Sequence, residues 1–155
     1  MIDENMRDVL IRHAMEARGR AYCPYSKYAV GAALMSENGE IYEGCNIENA
    51  SYGGTVCAER VAIFGAVGEG IRTFRAIAIV GGPAGSGAEG AAENGFAVPD
   101  TEPFAWPCGF CRQVMREFCD PESFQIIVAR NPEDYRVCTL AQLLPESFGP
   151  ENLGK

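Results

Sequence analysis

Two short runs in this chain carry residue types that bind metal and move protons: Cys57-Ala58-Glu59-Arg60 and Pro107-Cys108-Gly109-Phe110-Cys111. Each stands where the pattern predicts the start of a helix. A helix N-terminus carries positive partial charge and lowers the pKa of a thiol placed there, which favours the thiolate. Cys108 and Cys111 are three apart and share a face of the first turn. Zinc binds thiolates tetrahedrally, so two helix starts that face each other can supply three of its four ligands. A structural zinc site has four protein ligands, whereas three leave a position for water, the catalytic arrangement. Zinc lowers the pKa of that water toward neutrality. Glu59 is then a carboxyl near the metal but not bound to it, able to take a proton from the water and pass it to a substrate. Three thiolates on one Zn2+ leave a net negative charge that blunts its acidity, and Arg60 is the candidate for offsetting it. Residues two apart on a helix point to nearly opposite sides. Cys57 and Glu59 can therefore share one metal only if it sits over the helix end.

These runs need elements to position them. Met6, Val9, Leu10, His13, Ala14 and Ala17 recur at spacings of three and four, which predicts an amphipathic helix over 4–18. His13 is expected to be a partly exposed residue of that helix with no special role. Strands are predicted over 29–35 and 40–46, joined at Glu37-Asn38-Gly39 as a hairpin. Thr55 is a suitable N-cap for an alanine-rich helix over 56–67. The apolar runs 74–80 and 124–129 read as buried strands that flank a helix over 108–119. A short strand (135–139) and a short helix (140–144) follow. The order αββαβαββα predicts an α/β fold: one mixed sheet, parallel pairing within its strand–helix–strand units, and helices on both faces. Between the third strand-forming run and the second cysteine run lies Gly81 to Ala105, rich in Gly, Ala and Pro and without periodicity. It contains a formal G-x-G-x-x-G from Gly85 to Gly90. No helix is predicted to start there, so the dinucleotide reading is set aside.

Composition narrows the classes. The 155 residues fit one domain over 1–155, with 81–105 as a long insertion. A net charge of −8 argues against gripping nucleic acid or an anionic membrane. No apolar stretch is long enough to span a bilayer. Met1-Ile2-Asp3-Glu4-Asn5 has no positive region leading into an apolar run, so no signal peptide is expected and the expected location is cytoplasmic. In that setting the 7 cysteines are not a disulfide framework. Cys23, Cys45, Cys119 and Cys138 are expected to be buried, reduced thiols.

C-x-E followed by P-C-x-x-C resembles the signature of zinc deaminases. The wider chain resembles the short, homotetrameric cytidine deaminases, through Tyr22-Cys23-Pro24-Tyr25-Ser26, Val30-Gly31-Ala32-Ala33, Gly44-Cys45-Asn46-Ile47-Glu48-Asn49-Ala50, Cys57-Ala58-Glu59-Arg60, Phe74-Arg75-Ala76-Ile77-Ala78, Pro107-Cys108-Gly109, Cys111-Arg112-Gln113 and Phe148-Gly149-Pro150. The resemblance implies a three-layer α/β/α fold with a mixed five-stranded sheet. It also implies one Zn2+ per subunit and hydrolysis of cytidine and deoxycytidine to uridine and deoxyuridine in pyrimidine salvage. It makes Cys57, Cys108 and Cys111 the zinc ligands and Glu59 the proton shuttle. Asn46 and Glu48 match residues that hydrogen-bond the ribose. Tyr28 matches an aromatic near the base, where phenylalanine is more usual. Ala50, Tyr52 and Phe148 match residues that contact a neighbouring subunit's nucleoside.

Two features depart from the family. The 81–105 segment is longer than the family needs, and Trp106 stands where a small residue is usual. Two readings are open for them: they reshape the pocket entrance or a subunit interface, or they form a solvated insertion. Three rival functions also stand. One is a deaminase of another aminopyrimidine nucleoside, such as a nucleoside antibiotic. The others are a polynucleotide-editing deaminase and a non-catalytic, zinc-stabilised binding module.

Overall fold

Helix α1 (Glu4–Arg18) opens the fold, with the Asp3 side chain accepting the Met6 N–H at 2.8 Å as its N-cap. Strands β1 (Tyr28–Ser36) and β2 (Ile41–Cys45) form the expected hairpin, with Gly39 at φ 86° in the turn. Helix α2 (Ala58–Gly68), strand β3 (Phe74–Pro83) and helix α3 (Gly109–Phe118) follow. Strands β4 (Gln125–Asn131) and β5 (Asp134–Thr139), helix α4 (Leu140–Leu143) and a 3-10 turn (Pro150–Leu153) complete the chain. The computed structural model describes residues 1–85 and 98–155.

The five strands lie in the order β2-β1-β3-β4-β5. Only β3 and β4 pair in parallel, through α3; the β1–β2, β1–β3 and β4–β5 pairs are antiparallel. Strand β3 is buried on both faces, and its alternation divides the core. Ala76, Ala78 and Val80 pack with Leu10, Ile11 and Met15 on the α1 side. Ile77 and Ile79 pack with Ile63 of α2 and Met115 of α3 on the other. This is the expected three-layer arrangement. A fully buried isoleucine contributes roughly 1.5–3 kcal/mol, so the central strand anchors both helix layers.

Two local expectations are corrected. Thr55 does not cap a helix. Val56 exchanges backbone hydrogen bonds with Ile47 (2.9 and 3.0 Å), so the chain stays extended up to Cys57 and the helix starts at Ala58. Strand β3 runs on to Pro83 because Gly81, Gly82 and Pro83 continue the register with β1, which shortens the irregular segment. The glycine motif beyond Gly85 lies outside the described residues.

Helix α2 lies very close to β2. A Cβ at Gly44 would stand 2.3 Å from the Ala58 carbonyl oxygen and 2.5 Å from the Ala62 nitrogen, both rigid backbone. Gly44→Ala is therefore expected to cost about 1–3 kcal/mol by overpacking. Urea unfolding of both proteins checks this.

Candidate active site

The three candidate sulfur donors sit at two helix ends. Cys57 is the N-cap of α2 and Cys108 the N-cap of α3, both with extended backbone. Cys108 Sγ lies 3.4 Å from Cys111 Sγ and 3.9 Å from Cys57 Sγ, and all three lie within 4.8 Å of one another. Thiolates at about 2.3 Å from a tetrahedral zinc ion stand about 3.8 Å apart, so this donor set fits the ion. The condition set by the C-x-E spacing is met: Cys57 caps the helix, and Glu59 in its first turn lines the same pocket. Among the described residues, one other group of possible ligands exists, His13, Glu16 and Glu43. In this set His13 Nδ1 lies 2.6 Å from Glu43, and Arg20 pairs with the same carboxylate. The other four cysteines are unpaired; Cys23 and Cys119 are buried as expected, whereas Cys45 and Cys138 are only half-buried.

The electrostatics of the cluster follow from burial and from one cation. Burial pushes the Glu59 carboxyl up to about 7; the charge on Cys57 adds to this, and the Cys111 thiol and Arg60 oppose it. The Cys57 thiol is pulled down to about 5, first by its hydrogen bond with Cys111 and then, against burial, by the Arg60 guanidinium. Cys111 is pushed up by the same pairing and by burial. Arg60 Nη2 donates to Cys57 Sγ at 3.4 Å and to the Thr55 carbonyl at 3.3 Å. It therefore stands where a cation offsets thiolate charge.

A pocket of about 460 Å3 opens beside Cys57, Glu59 and Cys108. The β strands contribute Tyr28, Val30 and Ile79, and the irregular run Phe104-Ala105-Trp106 forms another part of the wall. Asn46 lines it with a fixed side chain: Oδ1 accepts the Val30 N–H and Nδ2 donates to the Tyr28 carbonyl, each at 2.8 Å. Glu48 lies in an adjoining depression of about 380 Å3 with Tyr25, Ser26 and Tyr52, and Thr55 borders both spaces. The Glu48 carboxylate accepts the N–H groups of Tyr25 (2.9 Å) and Ser26 (3.2 Å), and the Ser26 side chain first, then these N–H groups, hold its pKa below the usual range. Ala50 is exposed and Phe148 is 59% exposed, and both lie outside the pocket of their own chain.

Val30, Thr55, Ile79, Phe104 and Ala105 line the pocket, a role that the sequence reading gave to none of them. The one local signal for the last two was their adjacency to Pro107-Cys108. Residues 98–106 are mixed: Pro99, Asp100, Thr101 and Pro103 are exposed, whereas other parts of the run meet the core and the pocket. Val98 is 3% exposed within the core on the α1 side, and Phe104, Ala105 and Trp106 line the pocket.

Residues 4–127 match the family described as the cytidine and deoxycytidylate deaminase zinc-binding region. A cytidine deaminase of Sporosarcina psychrophila is 44% identical over 93% of this chain and 92% of its own length. The crystal structure of a cytidine deaminase from Burkholderia pseudomallei superposes with a TM-score of 0.74 at 41% identity, covering 90% of this chain and 97% of that one. That of the Mycobacterium tuberculosis cytidine deaminase gives 0.69 at 35% identity, covering 96% and 99%.

The raised Glu59 pKa has a consequence for metal-stripped protein. Below about pH 4.5 the carboxyl is neutral in both folded and unfolded chains. Between about 4.5 and about 7 the unfolded chain releases its proton while the folded one keeps it, so stability falls as pH rises. Glu59→Gln removes that slope. Its thermal stability relative to the unsubstituted protein, both zinc-free, is expected to rise from pH 5 to pH 8 by on the order of a few kcal/mol, read by calorimetry.

Proposed function

The chain belongs to the cytidine and deoxycytidylate deaminase family, and we propose that it hydrolyses cytidine and deoxycytidine to uridine and deoxyuridine, releasing ammonia. The observation that carries this reading is a buried carboxyl, Glu59, lining one pocket with thiols grouped closely enough to hold a metal ion. Cys57, Cys108 and Cys111 are the residues that would hold zinc. Bound there, zinc supplies Lewis acidity that brings the pKa of a coordinated water toward neutrality.

Glu59 is the proton carrier. It accepts a proton as water adds at C4 of the base and delivers it to N3. It then takes the proton of the new C4 hydroxyl and delivers it to the exocyclic nitrogen, so ammonia leaves, the C4 amino group is replaced by a carbonyl oxygen and one water is consumed. A carboxyl with a pKa of about 7 gains and loses a proton at neutral pH with little bias. Arg60 limits the negative charge that three thiolates place on the centre.

Substrate positioning follows from the lining. Asn46, with one Oδ1 lone pair and one Nδ2 hydrogen still free, and Glu48, held as a charged acceptor, suit the two hydroxyls of a ribose. Tyr28 lies against the base. Among the described residues no Lys or Arg lines either depression, which favours a nucleoside over a phosphate-bearing substrate. Ala50, Tyr52 and Phe148 act in the site of a neighbouring subunit, in a homotetramer with shared active sites. Support comes from exposed aromatic surface on Tyr52 (72%), Phe110 (78%) and Phe148 (59%). The chain works as one deaminase domain over 1–155, with an insertion at about 81–105, in cytoplasmic pyrimidine salvage. Among the described residues no helix is long and apolar enough to cross a membrane.

Ultraviolet-monitored turnover of cytidine, together with zinc analysis, tests the chemistry. Glu59→Gln is expected to keep its zinc while kcat/KM falls by about 10²–10⁴-fold. Near-normal turnover in that variant would refute the shuttle. Retention of activity with oligonucleotides or antibiotic nucleosides in place of cytidine would move the substrate class. Sharing of sites is tested by mixing: inactive Phe148→Ala and inactive Glu59→Gln proteins, co-refolded, are expected to recover activity in hybrid tetramers.

A further inference from the structure

The pocket wall Phe104-Ala105-Trp106 belongs to no helix or strand, so something else must hold it. That support comes from the β4–β5 hairpin, and mainly from one side chain. Arg130 Nη1 donates to the carbonyl of Asp100 and, at 2.8 Å, to that of Glu102. Its guanidinium lies 4.4 Å from the centre of the Phe104 ring, within cation–π range. The Arg130 carbonyl accepts the Val98 N–H at 3.0 Å, which fixes the beginning of the same limb. Arg136 of β5 also stands over the Phe104 ring, at 4.8 Å. Two cations sharing one ring would repel each other, and Asp134 lies between them, 2.6 Å from Arg130 and 3.7 Å from Arg136. At the far end of the limb, Ala105 presses on bare backbone: a Cβ added at Gly81 would stand 2.6 Å from the Ala105 Cβ. The limb is thus tied at its carbonyls, at its aromatic ring and against β3. Three residues beyond Ala105 it delivers Cys108.

We propose that Arg130, supported by Asp134 and Arg136, is a positioning residue for substrate: stacking on Phe104 and bridging the Asp100 and Glu102 carbonyls, it sets the width of the pocket beside the metal-ligating cysteines. Arg130 does not line the pocket and touches no reacting atom. Its influence passes through Phe104 and the backbone that leads to Trp106. Within the deaminase reading on which it rests, the residue governs nucleoside binding more than the chemical step, because Glu59 and Cys111 sit within α2 and α3 and Cys57 and Cys108 cap those helices.

Holoenzyme carrying Arg130→Ala is compared with the unsubstituted enzyme. The expected result is a KM for cytidine raised about tenfold, with kcat within about threefold and zinc content unchanged. Arg130→Lys keeps a cation near the ring but loses the fork onto two carbonyls, and is expected to fall between the two. Phe104→Leu is expected to raise KM as well, and the double variant Arg130→Ala/Phe104→Leu to add little to either single change, since both remove one interaction. Trp106 is the only tryptophan in the chain, so its fluorescence reports on the wall without reference to turnover. Acrylamide quenching of Trp106 is expected to increase in Arg130→Ala at temperatures where the protein remains folded. Unchanged KM together with unchanged quenching would overturn the proposal, as would a fall in kcat alone, the mark of a merely smaller folded fraction. If Arg130→Ala fails to fold, Arg130→Lys and Arg136→Ala carry the same comparison. If the unsubstituted enzyme does not turn over cytidine, the deaminase reading fails, and the quenching comparison still decides what holds the wall.

Discussion

Three sulfur atoms that repel one another as thiolates must stand within a few ångströms, and the architecture answers that requirement with two helix N-termini. Each N-terminus contributes positive partial charge and free N–H groups, and each begins with a cysteine as its cap. The convergence depends on the sheet. Helix α2 docks on β2 with no side chain between them at Gly44, and α3 is the crossover of the parallel β3–β4 pair. Shift either helix by one turn and the sulfurs no longer meet. The hydrophobic core on this side, built around Ile63, Ile77, Ile79 and Met115, is thus also the frame of the metal site.

The same convergence buries Glu59. Burial ordinarily penalises a carboxylate, and here it brings the carboxyl into the range where proton exchange at neutral pH is easy. Arg60 works in the opposite direction on the neighbouring thiol, drawing Cys57 down. Glu59 and Arg60 are adjacent in the chain, yet their environments differ because the helix end turns Glu59 inward and leaves Arg60 half-buried at the rim. A thiol drawn toward its thiolate and a proton-holding carboxyl therefore coexist in a single turn.

The rest of the pocket is less regular. Tyr28, Val30 and Ile79 come from strands, but Phe104, Ala105 and Trp106 come from backbone that makes no ladder of its own. Such backbone keeps a defined shape only when other groups satisfy its carbonyls and pack its side chains. Here arginine supplies both, through a planar fork and a face that stacks.

Much of this was legible in the residues alone. The period of the first helix, the Asn-Gly turn, the buried runs at 74–80 and 124–129, and the C-x-E and P-C-x-x-C spacings are local signals, each tied to backbone geometry within a few positions. That three thiols and a carboxyl could serve one metal centre follows from residue type; tertiary structure adds that they meet and buries Glu59. What tertiary structure alone decided are properties of pairs far apart in the chain. Val56 binds Ile47 and keeps Thr55 from capping a helix. Glu48 falls in the adjoining depression and not in the pocket of Asn46, because Tyr25 and Ser26 hold its carboxylate. Arg130 reaches across to Phe104 from another strand. None of these has a signature in its own neighbourhood, since each exists only once the sheet order has brought distant backbone together.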